Sequence, residues 1–116
     1  MLNQDGYPTN ATLRRVEKWK IRNHVELLAL FEYIRQNWWA ADWGFHHTEQ
    51  EVNLTYANAT CKKKHHFQLS TGGWSGNEDM VHSMRKNYVF WSMTWRVHKA
   101  GGHYDFEVEE LEFTGK

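Results

Sequence analysis

The chain has 116 residues, with 14 basic and 14 acidic side chains and a formal net charge of zero at pH 7. That length suits one domain around one hydrophobic core. The charge balance leaves no basic excess to announce nucleic acid and no acidic excess to imitate it. Aromatic residues make up 16% of the chain, seven of them tryptophan, which supplies the bulk of a small core and leaves some rings for a surface. Cys61 is the only cysteine, so no intrachain disulfide forms, which fits a reducing compartment. The first ten residues are polar and lack an apolar signal region, and no apolar run approaches the roughly 18 residues that span a bilayer. A cytoplasmic protein is expected.

Residues 1–9 read as loose, polar chain with Gly6 and Pro8. Asn10 or Thr12 then caps a short helix over 11–19, with Leu13 and Val16 on its apolar edge. Asn23 and Glu26 are spaced as in a capping box. The helix they open places Leu27, Leu28, Phe31, Ile34 and Trp38 on one face. Helical periodicity fades after residue 43. Strands are expected near Trp43–Thr48, Val52–Tyr56 and His65–Thr71, the last two joined through Asn58–Lys64. The triplets starting at Asn10, Asn53 and Asn58 have the glycosylation pattern but read as turn and cap residues.

Leu69 to Asp79 has three glycines, Gly72, Gly73 and Gly76, between a β-prone run and a helical pattern. Ser75 and Glu78 fit a second capping box. Met80, Val81, Met84, Tyr88, Trp91 and Trp95 follow at helical steps, Asn87 is placed to bend or break this helix, and Gly101 is a natural stop. Tyr104, Phe106 and Val108 alternate with acidic residues in a final strand, and the phase change to Leu111 and Phe113 predicts a bulge near Glu109–Glu110. The expected fold is α+β in a single domain, ordered α-α-β-β-β-α-β, with helices on one face of a four-stranded antiparallel sheet.

Two chemistries compete at the glycine loop. Backbone N–H groups at a helix N-terminus can cradle a phosphate, which would suit a small enzyme or sensor binding a nucleotide or other phosphorylated ligand at Gly72–Asn77. The same glycines can simply supply φ > 0 for a sharp corner. The spacing is neither G-x-x-x-x-G-K-[ST] nor G-x-G-x-x-G, and Glu78 and Asp79 oppose an anion. If the last strand lies beside the one ending at Thr71, the second glycine turn, Gly101-Gly102, comes close to the first. Trp74, Asn77, His103 and Tyr104 could then line one cleft.

The remaining candidates are weaker. His46-His47 and His65-His66 lie in expected strands, so the members of each pair point to opposite faces. A zinc site would need three or four ligands converging from these plus Cys61 or His103, and no metal spacing is present. No nucleophile elbow or paired motif assigns a catalytic residue. No cofactor and no metal are assigned. The binding surface is expected to contain Trp74, Ser75, Asn77, His103 and Tyr104. Lys62, Lys63 and Lys64, expected on a solvated hairpin tip, form a second patch able to touch phosphates.

Ser-Thr-Gly-Gly-Trp-Ser-Gly-Asn-Glu (70–78), Phe-Trp-x-x-x-Trp (90–95), Gly-Gly-His-Tyr-x-Phe (101–106) and Trp38-Trp39 before Trp43-Gly44-Phe45 occur together here. From about residue 23 onward this set resembles small proteins of unassigned function encoded by bacteriophages and prophages. The resemblance implies a non-enzymatic accessory protein, an inhibitor or adaptor that binds a host or defence protein or nucleoprotein in the bacterial cytoplasm. It names no activity and no site residues.

Overall fold

A computed structural model describes residues 2–114. The element order is α1 (Asn10–Lys18), α2 (His24–Gln36), α3 (Ala41–Gly44), β1 (Phe45–Thr55), β2 (Ala59–Ser70), α4 (Ser75–Lys86), α5 (Tyr88–Thr94), β3 (Trp95–Lys99) and β4 (His103–Phe113). The strands form one antiparallel sheet in the order β1-β2-β4-β3. The α+β class, the four-stranded antiparallel sheet and the helices packed against it are as expected.

Local signals explain the first two helices. Thr9 caps α1, its hydroxyl accepting from the Thr12 N–H at 3.1 Å, so the cap falls just before Asn10. Asn23 caps α2 by accepting from the Glu26 N–H at 3.1 Å. Only half of the capping box forms, because the Glu26 carboxylate turns to the Arg22 backbone N–H at 2.6 Å and to its guanidinium. Leu27, Leu30, Phe31 and Ile34 of α2 are buried. Phe31 stacks on Phe67 of β2 at 3.9 Å between ring centres and meets Phe90 of α5 and Phe106 of β4. This knot joins the helical layer to the two central strands.

Four expectations are corrected. The strands foreseen at 43–48 and 52–56 are a single strand, β1, whose pairing with β2 slips between Glu51 and Leu54. An extra residue there breaks the alternation and makes one strand read as two. The bulge expected at Glu109–Glu110 lies across the ladder: Cys61 to Lys64 of β2 spans Leu111 to Glu109 of β4, so β2 carries the extra residue. Ser75 caps nothing. Trp74 holds the cap position of α4 without a side-chain bond, and the Ser75 hydroxyl pairs with that of Tyr7 at 2.9 Å. The helix breaks at Asn87 as expected, α4 ending at Lys86 and α5 starting at Tyr88. Asn87 accepts from the Phe90 N–H and donates to the Val16 and Trp19 carbonyls, which ties the break to α1. Residues 95–99, which continue the helical spacing of Trp91 and Trp95, form edge strand β3 instead. The two indoles still stack, at 5.8 Å, across the helix–strand junction.

Candidate functional site

The two glycine turns do adjoin. Ser70 pairs with His103 in the sheet, and the Thr71 N–H donates to the Gly102 carbonyl at 3.0 Å. Gly102 has φ +79°, and a Cβ there would lie 2.3 Å from the Thr71 hydroxyl. Close approach of the two turns therefore requires glycine at this position.

The side chains expected to share a cleft separate. Asn77 is buried and committed to the chain: its Oδ1 accepts from the Trp39 N–H at 2.8 Å and its amide donates to the Trp39 carbonyl at 2.9 Å. Trp74 is half-buried, stacks on Trp39 at 4.7 Å and donates its indole N–H to the Gly6 carbonyl. With Tyr7 it clamps the N-terminal segment over the glycine loop. His103 and Tyr104 are neighbours on β4 and so point to opposite faces of the sheet. His103 accompanies His46, Gln68, Ser70, Lys99 and Asp105 along a shallow cavity, its Nδ1 2.6 Å from the Ser70 hydroxyl. Tyr104 lies against α4 near Glu78, His82 and Arg85.

The three lysines also separate. The hairpin turn is only Tyr56–Asn58, so Lys62, Lys63 and Lys64 stand in β2 and not on a tip. Lys63 pairs with Glu49 at 3.2 Å, and Lys64 with Glu107 at 3.4 Å, so neighbouring carboxylates neutralise two of the three.

Sequence reasoning missed what cross-strand register assembles. His47 lies opposite Phe67, and Glu49 lies opposite His65. Residues that face each other in a ladder share a side of the sheet. His47, Glu49 and His65 therefore converge on the helix side, with ligand atoms all within 4.8 Å of one another. His47 Nε2 is 2.8 Å from His65 Nδ1, and His65 Nε2 is 2.5 Å from the Glu110 carboxylate. Glu110 reaches His65 because it follows Val108, the partner of His65, by two residues on β4. A pocket of about 190 Å³ opens beside the two imidazoles, lined with them by Phe31, Phe67 and Arg35. Burial, and after it the neighbouring His65, holds His47 below the ordinary imidazole value. Lys63 holds Glu49 below the usual carboxylate range. Reading each histidine pair along its own strand hid the cluster. Only the pairing of β1 with β2 reveals it.

A second feature lies on the opposite edge of the sheet. Tyr88, Val89 and Met93 of α5 and Trp95 and Val97 of β3 are all exposed, Tyr88 to 80%. No carboxylate occurs between Asp79 and Asp105, whereas Arg85, Lys86, Arg96 and Lys99 do. The signal in the sequence was this acid-free, aromatic stretch, which helical periodicity masked as core.

The fold is a two-layer α+β domain whose sheet ends in edge strands β1 and β3, with exposed apolar side chains on β3 and on α5, the helix that leads into it. Compared with protein-family models, curated proteins and solved structures, the chain matches none of the three. Among the described residues no helix is long and apolar enough to cross a membrane.

Proposed function

We propose that the protein is a non-enzymatic binding module that docks its partner along the rim formed by α5 and β3. One observation carries this reading: β3 is an edge strand that pairs with β4 on one side, and β3 and the helix that leads into it, α5, carry five large exposed apolar residues, with Trp95 and Val97 on opposite faces of the strand. A free edge presents unpaired N–H and C=O groups that an extended segment of another chain can complete. Val89 and Met93, four residues apart and so neighbours on α5, would receive apolar side chains of that segment.

The stretch from Arg85 to Lys99 lacks acidic residues, so it favours a partner segment with carboxylates over a second copy of itself. Glu107 and Asp105 of β4 partly neutralise Arg96 and Lys99, which leaves Arg85 and Lys86 as the steering charges. A host or defence protein is the partner class implied by the resemblance to phage-encoded accessory proteins. A nucleotide-binding enzyme at Gly72–Asn77 gains no support: Asn77 is consumed by Trp39, and Glu78 stands in the first turn of α4.

Selection from a random peptide-display library tests the proposal. Enrichment of extended acidic–apolar sequences is expected, with binding lost in Met93→Asp and Val97→Asp and retained in Trp43→Ala, an exposed residue elsewhere. Peptides that bind both rim variants as well as the parent protein would refute the docking surface.

A further inference from the structure

We propose that His47, Glu49 and His65 form a binding site for a divalent first-row transition ion of the zinc type, with Glu110 as the group that orients His65. Two imidazoles and one carboxylate are the donor set of an open zinc centre, in which a fourth position is left for water or substrate. Imidazole donors favour such ions over magnesium or calcium, which take oxygen ligands.

The geometry needs little adjustment. Donor atoms around a tetrahedral zinc ion lie about 3.3 Å apart, given metal–ligand distances of about 2.0–2.1 Å. Here the imidazole nitrogens are 2.8 Å apart, and all three donors lie within 4.8 Å. His47 and Glu49 alternate on β1, and His65 faces Glu49 across the ladder, so the strand backbone sets all three. Side-chain rotation alone then closes the site.

Glu110 supplies what a hydrogen-bonded histidine pair would not need. Its carboxylate holds the proton of His65 on Nε2, at 2.5 Å, and so leaves the Nδ1 lone pair facing the cluster. Carboxylates do this for metal-bound histidines in general, fixing the tautomer and raising ligand basicity. Without metal, His47 Nε2–H donates to His65 Nδ1. With metal, the His47 proton moves to its own Nδ1, and both rings present lone pairs, with no net change in protonation. Lys63 competes for Glu49 at 3.2 Å and must swing away when the ion binds. It is half-exposed and has a long, flexible side chain, so solvent can accept its charge. On the pocket side the site meets the apolar rings of Phe31, Phe45 and Phe67, while His47 and Glu49 face solvent.

Titration of the untagged protein with Zn²⁺, and with Co²⁺ as a spectroscopic substitute, tests the site. One equivalent should bind saturably, and the cobalt form should show the strong visible absorption of four- or five-coordinate cobalt. His47→Ala and Glu49→Gln, both at exposed positions, should weaken binding at least about 100-fold, and Glu110→Gln by about 10- to 100-fold. His46→Ala and His66→Ala, on the other face of the sheet, should leave it unchanged. His65 is buried and its removal risks the fold, so the test rests on the exposed ligands. Absence of one-to-one binding would overturn the proposal. So would equal binding by His47→Ala and the parent protein, or loss of binding in His46→Ala.

Discussion

The two ends of the sheet are built differently. At one end β1, β2 and β4 present Phe45, Phe67, Leu69, Phe106 and Val108 to the helices, and these join the continuous core around Phe31. At the other end Leu54 faces Cys61, Cys61 faces Leu111, and Ala59 faces Phe113. Alternation along β4 puts Leu111 and Phe113 on the side away from Phe106 and Val108. None of these far-end residues belongs to the core cluster. The bulges of β1 and β2 lie between the two ends, and the molecule is long, 49 Å by 25 Å by 20 Å. The helix-backed end is held by shared burial, whereas the far end relies on strand pairing, a few apolar contacts and cross-strand charges. The histidine cluster sits where one regime gives way to the other.

The largest expected effect comes from breaking the helix-backed end. Phe31→Ala removes the ring that touches Phe67, Phe90 and Phe106, and should cost about 3–5 kcal/mol in chemical denaturation, as buried Phe truncations do. A loss under about 1 kcal/mol would show that the helices are not what stabilises the sheet.

A smaller effect should distinguish the two ends. Leu111→Ala, at a half-buried far-end position, should cost about 1 kcal/mol. Hydrogen exchange should quicken at the amides of 52–62 and 109–113 and stay unchanged at 65–70 and 104–108. Uniform acceleration would mean that the sheet opens as one cooperative unit, and the comparison would fail.

The smallest effect is a pH dependence. The Arg22 side chain holds Glu26 below its ordinary value of 4.5. A carboxylate depressed in the folded state contributes stability that is fully present above its unfolded value. That contribution is lost as pH falls through the folded value. Melting temperature should therefore decline on acidification below about pH 4.5, and Glu26→Gln should flatten that limb. Glu49, held low by Lys63, should act in the same direction at the junction, seen as faster far-end exchange in acid that Glu49→Gln abolishes. Acid limbs unchanged by both substitutions would remove these pairs from the account.

Much of the fold was legible locally. Asn23 at the start of α2, the apolar face of that helix and the alternation of Tyr104, Phe106 and Val108 are set by neighbours a few residues away, so periodicity and capping chemistry reveal them. The proximity of the two glycine turns was also readable as a conditional, because it needed only the pairing of β2 with β4. Asn77 and Trp74 were read as binding-surface residues, but their partner, Trp39, stands 38 and 35 positions back in the chain, and no local pattern points to it.

The α+β class and most caps, turns and core faces follow from local sequence, because those features arise from short-range sterics and hydrogen bonding. Tertiary structure decided the rest. It placed the bulge within β1 that makes one strand read as two, and it paired Trp95–Lys99 with β4 as an edge strand instead of helix. It also gathered His47, Glu49, His65 and Glu110 from three strands. Each of these depends on which residue faces which across a ladder, and a one-residue slip in that register moves a side chain to the other face of the sheet.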